Sequence, residues 1–230
     1  MIGCAQAEFP EIGWLDAYAE RLGLDAAVRR IMDFAPDVVA VSAYTTQIHE
    51  AADTARALKK AGSNAKIIVG GPHTSKLPVG TALEFPEFDY VAAGEGEAMI
   101  IGFLRALRDG APAENIPGIY RLRGGEVLSG GECAYIEDLD SLPFPEWRHV
   151  NWDSHCAIFT LRGERMRETA VWVNRGCPFN CIFCAKIMGN KVRKRSLAAV
   201  VEQVKRDVAD YGARQVLFTD ETVSDGRPMM

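Results

Sequence analysis

Short, continuously apolar segments alternate with amphipathic segments through the first half of this chain, and this alternation limits the possible folds most strongly. Residues 38–42 and 67–69 have the apolar character of strands that are buried on both faces of a parallel sheet, and residues 89–93 are the next predicted strand. Helical periodicity is found at residues 25–34, 48–61, 80–85 and 97–107. Strands and helices that alternate with short connections predict an α/β domain with a doubly wound, Rossmann-like parallel sheet.

The sequence changes character near residue 115. Two short segments joined by Gly124-Gly125, residues 118–123 and 126–129, predict a β-hairpin. The proline-rich residues 136–145 have the aperiodic composition of a linker. Further strands are predicted at 157–161, 171–174 and 215–219, and a helix that Ser196 would cap at 197–211. We therefore predict an α/β domain with a terminal hairpin at 1–132, a linker at 133–155 and a second strand–helix domain at 156–230.

The composition excludes some classes of partner. The 230 residues are 48% hydrophobic and 25% charged, which is typical of a globular protein. A net charge of −5 gives no electrostatic reason to expect a nucleic acid or a membrane surface as partner. The sequence has no apolar run of the about 18 residues that a membrane span requires, and no signal peptide opens it. Six cysteines, three of them in one motif, suit a reducing compartment, so we expect a cytoplasmic protein.

The three clustered cysteines are Cys177, Cys181 and Cys184, in the spacing C-x3-C-x2-C, with Phe183 directly before the last of them. Three thiolates on one short loop can bind three irons of a [4Fe–4S] cluster and leave the fourth iron without a protein ligand. An iron with open positions can bind a substrate or cofactor. The motif therefore predicts a cluster that takes part in chemistry.

Other uses of the cysteine loop remain open from the residues alone. Structural zinc commonly has four protein ligands, and the nearest additional candidates, His155 and Cys156, lie more than twenty residues upstream. Three clustered cysteines cannot all pair in disulfides. A catalytic thiol is a further alternative, although no histidine lies beside the loop in sequence.

The cysteine loop, preceded by Asn174-Arg175-Gly176 and beginning Cys-Pro-Phe, resembles that of radical S-adenosylmethionine (SAM) enzymes, and in particular their cobalamin-binding branch. The resemblance implies that Cys177, Cys181 and Cys184 bind the cluster. It also implies that SAM binds the open iron and is cleaved to methionine and a 5′-deoxyadenosyl radical. Phe183 would lie near the SAM adenine; an ordinary core position is the alternative. The second domain would then be the start of a partial (β/α) radical SAM barrel.

Two glycine-containing loops follow predicted parallel strands in the first domain. They are Gly70-Gly71-Pro72-His73 and Gly94-Glu95-Gly96-Glu97. Open α/β sheets bind ligands at the carboxyl ends of their strands, and glycines let the backbone approach a bulky group. Taken with the Asp-Leu-Asp-Ser-Leu-Pro-Phe-Pro segment, these loops resemble the cobalamin-binding domain and linker of B12-dependent radical SAM proteins. The resemblance implies corrin contacts from Ser42, Thr45, Gly70, Gly71, His73, Gly94, Glu95 and Gly96.

The histidines are not expected to bind cobalt. Many cobalamin proteins supply a lower cobalt ligand from an Asp-x-His-x-x-Gly motif, which this sequence does not contain. His73 is the histidine nearest the predicted corrin loops, and it could equally be a local hydrogen-bonding group. We expect cobalamin to bind without a protein histidine on cobalt.

An acidic pair, Asp220-Glu221, ends the predicted strand that follows the cysteine-loop helix. Carboxylates at the carboxyl end of a parallel strand can stabilise a cationic ligand. By the family resemblance these residues would hold the ammonium group of SAM, and solvated surface carboxylates are the alternative.

The resemblance implies a radical SAM enzyme that acts on a small-molecule substrate and receives electrons from a reductant such as flavodoxin or ferredoxin. Methyl transfer to an unactivated carbon is our first expectation. A cyclase or oxidoreductase of the same scaffold is an alternative, and so is a corrinoid or iron–sulfur binding module without turnover.

The chain also differs from the family pattern at both ends. Members normally have a strand and helix before the first segment seen here, so that residues 2–5 would form the second strand of the sheet. A radical SAM barrel has more strand–helix units than the two predicted after the linker. We therefore expect either a piece of a longer protein or a shortened member of the family.

Overall fold

The computed structural model describes residues 1–152 and 166–222. In chain order its helices are α1 (Ile2–Ala5), α2 (Leu24–Phe34), α3 (Ile48–Lys60), α4 (Pro72–Lys76), α5 (Pro78–Glu84), α6 (Gly96–Arg108) and α7 (Leu197–Tyr211). Its strands are β1 (Val38–Ser42), β2 (Lys66–Gly70), β3 (Tyr90–Ala92), β4 (Ile119–Arg123), β5 (Glu126–Ser129), β6 (Glu168–Val171), β7 (Asn174–Arg175), β8 (Arg193–Lys194) and β9 (Gln215–Phe218).

The chain divides into two compact units. The first consists of Met1 and Arg21–Tyr135, and the second of Ile2–Glu20 and the described part of Ile136–Met230. This division differs from the predicted bounds at 132 and 155 because residues 136–152 pack within the second unit, together with the N-terminal segment.

The first unit is built on a five-stranded sheet in the order β1-β2-β3-β4-β5. Strands β1, β2 and β3 are parallel, with Val38 opposite Lys66 and Ile68 opposite Tyr90. Strands β4 and β5 add an antiparallel hairpin. Its turn residues Gly124 and Gly125 both have positive φ, as a two-residue hairpin turn requires. The α/β fold is confirmed, and the predicted hairpin extends the parallel sheet along one edge.

Both faces of the parallel strands are buried, for the reason that the sequence indicates. Ile67 and Val69 of β2 pack into one apolar cluster together with Leu58 of α3. Ile68, which lies between them, packs into the other cluster with Phe103 of α6. Alternate side chains of a strand point to opposite faces of a sheet, so an uninterrupted apolar strand requires cover on both sides. This arrangement fixes the carboxyl ends of β1, β2 and β3 at one edge.

The second unit contains a strand–helix–strand motif. Strands β6 and β9 are parallel, with Val171 opposite Phe218, and Val200 of α7 packs against Val171. The predicted strand at 171–174 is shifted and divided between β6 and β7, because β7 pairs with β8. The predicted strand at 157–161 lies outside the described residues. Within the described ranges no helix has the length and apolar character needed to cross a membrane.

The strand predicted at residues 2–5 is wrong, because these residues form helix α1. The Gln6 N–H donates to the Ile2 carbonyl at 3.0 Å and closes a helical turn, and the side chain of Ala5 is buried. A short apolar run is compatible with either a strand or a buried helical turn. The packing of the N-terminal segment in the second unit decides between them.

Helix α7 begins at a capping serine, and this contact can be tested. Ser196 Oγ accepts a hydrogen bond from the Ala199 N–H at 3.1 Å. We expect Ser196→Ala to lower the free energy of unfolding by about 1 kcal/mol, because an N–H at the helix terminus loses its partner. Urea unfolding measures the effect. Ser196→Asn is the control, since it keeps a neutral acceptor oxygen beside Asp140 and should retain most of the stability; equal loss in both variants would contradict the assignment.

Candidate functional site

The three cysteines lie on one loop whose ends are joined by β7 and β8. The Cys177 N–H donates to the Gly189 carbonyl, and the Cys184 N–H donates to the Cys181 carbonyl, each at 3.1 Å. All three are free cysteines; Cys177 is half-buried, and Cys181 and Cys184 are exposed. The loop therefore brings the thiols of the predicted cluster ligands to one surface region.

The loop is not a preformed metal site. In the described ranges no group of three or more His, Cys, Asp or Glu side chains is close enough to hold a metal ion. The donor chemistry nevertheless fits an iron–sulfur cluster, since three thiols share an exposed loop, and thiolates are the ligands that such clusters use. Metal binding and local ordering are commonly coupled, so the thiols can converge when the metal binds. The assignment of Cys177, Cys181 and Cys184 stays a prediction.

Gly176, directly before the first cysteine, has a backbone conformation that favours glycine. Its φ is +88°, and a Cβ atom at this position would collide with the Lys191 carbonyl oxygen. The start of the cysteine loop therefore packs against the segment that leads into β8.

Phe183 lies on the exposed side of the loop. Its side chain is 89% exposed, and Phe179 and Ile182 are also exposed. Phe183 therefore lies outside the apolar core of the described residues. The loop presents aromatic and aliphatic surface beside the cysteines, as the predicted adenine contact requires, although that contact is still a prediction.

The two residues of the acidic pair have different surroundings. Asp220 Oδ1 accepts the Val173 N–H at 2.9 Å and also the Asn174 N–H, so this carboxylate ties the residues before β7 to the end of β9. Asp220 Oδ2 and Asn174 Oδ1 are buried and have no hydrogen-bond donor in the described part of the chain. Glu221 is exposed. Buried acceptors normally have partners, so the Asp220 side of the pair can accept a donor such as an ammonium group.

The predicted corrin loops lie together at the carboxyl edge of the parallel strands. The Ala43 N–H donates to the Gly70 carbonyl at 2.9 Å, which joins the loops after β1 and β2. The Gly94 N–H donates to Ser75 Oγ at 3.2 Å, which joins the loops after β2 and β3. The structure thus brings the loops of all eight predicted corrin contacts to one sheet edge; contact with the corrin is still a prediction. These residues are Ser42, Thr45, Gly70, Gly71, His73, Gly94, Glu95 and Gly96.

Gly71 and Gly94 allow the protein's own loops to approach each other. Gly71 has φ +106°, and a Cβ there would lie 2.9 Å from both the N and O atoms of Ala43. Gly94 has φ +104°, and its Cβ would lie 2.9 Å from the Cβ of Cys133. We expected these glycines to make room for a ligand, and the structure shows that they first make room for neighbouring backbone and side chain.

Sequence reasoning gave no role to Cys133, which packs beside the Gly94 loop. Its Sγ lies 3.5 Å from the Ala134 carbonyl oxygen, and burial raises the pKa of its thiol. The contact between Cys133 and Gly94 could not be predicted from the sequence. It depends on the path of the chain after β5, and no sequence motif indicates that path.

His73 is a local hydrogen-bonding group in this structure. It is 9% exposed, and its Nδ1 lies 3.1 Å from Thr45 Oγ1. Its backbone N–H donates to the Ala43 carbonyl at 3.3 Å. The imidazole therefore links the loops after β1 and β2, and the expectation that no histidine binds cobalt stays a prediction.

The segment predicted as a linker is anchored beside the cysteine loop. Both carboxylate oxygens of Asp140 lie 3.1 Å from the Ser196 N–H, at the start of α7. The Arg195 side chain is close to the same carboxylate (Nε to Oδ1, 3.9 Å) and lies over the Phe144 ring. The Asp-Leu-Asp-Ser-Leu-Pro-Phe-Pro motif therefore holds the helix that follows the cysteine loop.

Glu146, just after this motif, also holds the predicted linker in place through hydrogen bonds. Its side chain is 3% exposed and accepts hydrogen bonds from Arg148 at 2.6 Å, Tyr211 at 2.7 Å and Gln6 at 3.2 Å. The hydrogen bond from Arg148, with those from Tyr211 and Gln6, holds the pKa of the Glu146 carboxyl well below its usual range.

The low pKa of Glu146 predicts acid sensitivity. A carboxyl with a lowered pKa in the folded state stabilises the fold above its unfolded pKa, and the contribution is lost as the pH falls. We expect the free energy of unfolding to fall by on the order of 2 kcal/mol between about pH 5 and pH 3 through this group. Glu146→Gln, which cannot ionise, should show a shallower decline in urea unfolding over that range. Equal slopes for the two proteins would contradict the prediction.

Comparison with known sequences gives a family match for the first part of the chain. Residues 3–104 match the family model described as the B12 binding domain. The chain is 30% identical over 210 residues to the uncharacterised methyltransferase PH0819 of Pyrococcus horikoshii, covering 90% of this chain and 44% of the relative. It is 27% identical over 220 residues to the anaerobic magnesium-protoporphyrin IX monomethyl ester cyclase of Cereibacter sphaeroides, covering 94% and 35%. The chain thus spans less than half the length of these curated relatives.

Comparison with solved structures supports the same fold. The cobalamin-dependent SAM radical enzyme OxsB, solved with aqua-cobalamin and SAM bound, superposes with a TM-score of 0.73 and 18% sequence identity. The match covers 90% of this chain and 28% of OxsB. Identity at this level establishes the shared fold alone.

Proposed function

The chain belongs to the cobalamin-binding radical SAM protein family, and from this premise we propose that it forms the cobalamin- and cluster-binding part of an enzyme that cleaves SAM reductively. The observation that carries the proposal is the presence, on one chain, of a B12 binding domain match and a loop with three free thiols in C-x3-C-x2-C spacing. When bound, the cluster would supply the electron that splits SAM, and cobalamin would supply methyl-group chemistry.

The cysteine loop would hold the cluster through Cys177, Cys181 and Cys184. Three protein ligands would leave one iron open to bind SAM. The buried Asp220 Oδ2, which has no donor among the described residues, would accept a hydrogen bond from the SAM ammonium. The exposed Glu221 would add negative charge near that ammonium, and Phe183 would contact the adenine ring.

The sheet edge of the first unit would bind cobalamin. The loops after β1, β2 and β3 are hydrogen-bonded to one another, and such an edge is where open α/β sheets bind their ligands. The loop residues would contact the corrin, and His73, already within hydrogen-bond distance of Thr45, would help to fix the shape of this edge rather than bind cobalt.

Methyl transfer to an unactivated carbon of a small molecule is the outcome that we propose first. The similarity to a protein named as a methyltransferase, PH0819, supports this outcome. The similarity to the magnesium-protoporphyrin IX monomethyl ester cyclase supports ring formation as the second candidate. In either case an external one-electron reductant, such as flavodoxin or ferredoxin, would be needed. We also propose a cytoplasmic location, because free thiols and an iron–sulfur cluster suit a reducing compartment.

Anaerobic reconstitution tests this proposal. The chain is purified under nitrogen, supplied with iron, sulfide and hydroxocobalamin, and then given SAM and dithionite. We expect it to retain both cofactors and to release 5′-deoxyadenosine and methionine. Retention of cobalamin without SAM cleavage would instead identify a corrinoid-binding module. Retention of neither cofactor would reject the proposal.

Isotopic labelling separates the two candidate outcomes. With methyl-deuterated SAM, transfer of the label to bound cobalamin supports the methyltransferase. Formation of 5′-deoxyadenosine without transfer of the label favours the cyclase or oxidoreductase alternative.

A further inference from the structure

A buried guanidinium lies at the base of the cysteine loop. The Arg193 residue is 4% exposed. Its Nη1 donates to the Ile136 carbonyl at 2.7 Å, and its Nη2 donates to the Met188 carbonyl at 3.0 Å. Burying a charged side chain is costly unless good hydrogen bonds compensate for the lost hydration. The position of Arg193 is therefore defined by the two backbone segments that it joins.

One of these segments contacts the first cysteine. Met188, whose carbonyl accepts from Arg193, immediately precedes Gly189, whose carbonyl accepts the Cys177 N–H at 3.1 Å. A Cβ on Gly176 would lie 3.1 Å from the same Met188 carbonyl oxygen. The guanidinium thus fixes the short stretch of backbone against which the cysteine loop begins.

The backbone of Arg193 adds a second connection to the loop. In the β7–β8 pair, Arg193 is directly opposite Arg175, the residue before Gly176. The strand pairing closes the base of the loop, and the side chain then ties that base to Met188, after Cys184, and to Ile136 of the predicted linker. The planar fork of an arginine can serve two carbonyls in a fixed geometry, which the single ammonium of a lysine cannot reproduce.

We propose that Arg193 is a positioning residue for the cysteine loop. By holding the Met188 and Ile136 carbonyls, it maintains the contact between Cys177 and Gly189 and so fixes the position of the first cysteine at the base of the loop. Arg193 would act through the backbone of the loop. The inference rests on the proposed function in one respect, namely that the loop binds an iron–sulfur cluster.

Three variants test the role. Arg193→Gln removes the charge and the fork, and Arg193→Lys keeps the charge with one fewer contact. Lys191→Gln is the matched control, because it removes a cation from the same loop. The Lys191 side chain is 73% exposed and pairs with Glu137. After anaerobic reconstitution we expect about 10-fold weaker iron binding in Arg193→Gln, as for other residues that orient metal ligands. Arg193→Lys should fall between this variant and the wild type, and Lys191→Gln should match the wild type.

Amide hydrogen exchange of the metal-free chain provides a readout that does not depend on the cluster. In Arg193→Gln the Cys177 amide should exchange faster, while amides of α6 in the other unit should keep their wild-type rates. If Arg193→Gln fails to fold by circular dichroism, the same comparison is made with Arg193→Lys, and faster Cys177 exchange there supports the role.

The outcomes separate the inference from the proposed function. Wild-type iron binding and wild-type Cys177 exchange in the folded Arg193 variants would overturn the positioning role, even if the wild-type chain binds a cluster. A wild-type chain that binds no iron would reject the proposed function, and the exchange experiment would then still decide whether Arg193 holds the loop.

Discussion

Replacing Cys181 with alanine is expected to abolish stable [4Fe–4S] binding. The cluster would lose one of its three proposed protein ligands, and residues 176–192 contain no fourth cysteine and no histidine to replace it. We expect the iron and sulfide contents of the reconstituted variant to fall to about a tenth of the wild-type values or less, with loss of the absorption band at about 400 nm that such clusters give.

Cys4→Ala is the matched control for this substitution. Cys4 lies in α1, outside the loop, so its removal should leave the iron content and the spectrum unchanged. A wild-type cluster spectrum in Cys181→Ala would reject the ligand assignment. Equal loss in both variants would show that the effect does not arise from the loop thiol.

Gly71→Ala is expected to destabilise the first unit by about 2–4 kcal/mol. Gly71 has φ +106° and ψ −168°, a region that residues with a side chain rarely adopt. The new methyl group would also lie 2.9 Å from the backbone of Ala43, so the loops after β1 and β2 would have to separate. Urea unfolding measures the loss. Cobalamin retention should fall as well, because the same loops form the proposed binding edge.

Gly80→Ala is the control for Gly71→Ala. Gly80 lies within α5, and a Cβ added there has no atom within 4 Å. Alanine favours helix over glycine, so this variant should be unchanged or more stable by up to about 1 kcal/mol. A Gly71→Ala protein as stable as the wild type would contradict the close loop packing described above.

The sequence predicted the elements whose patterns are local. The amphipathic helix α2, the buried strands β1 and β2 and the hairpin turn at Gly124-Gly125 were expected and are found. In each case the physical cause acts within a few residues, either apolar periodicity or the preference of a turn for glycine. The spacing of the three cysteines is equally local, and therefore their common loop was also predictable.

Features that depend on contacts distant in sequence could not be predicted. Residues 2–5 are helical because of where the N-terminal segment packs, and the predicted linker is anchored because Asp140 meets Ser196, 56 residues away. The structural role of Asp220 also depends on distant contacts. One of its carboxylate oxygens accepts hydrogen bonds from the Val173 and Asn174 amides, which are 47 and 46 residues away in sequence. Only the folded chain shows which carboxylate oxygen is left for a ligand.

Mössbauer spectroscopy of the chain reconstituted anaerobically with ⁵⁷Fe is the sharpest test of cluster binding by the cysteine loop. We expect the signal of a [4Fe–4S] cluster and, on addition of SAM, a change confined to one of its four irons. Material that holds only zinc, or no metal, after reconstitution would contradict the assignment of Cys177, Cys181 and Cys184 as cluster ligands.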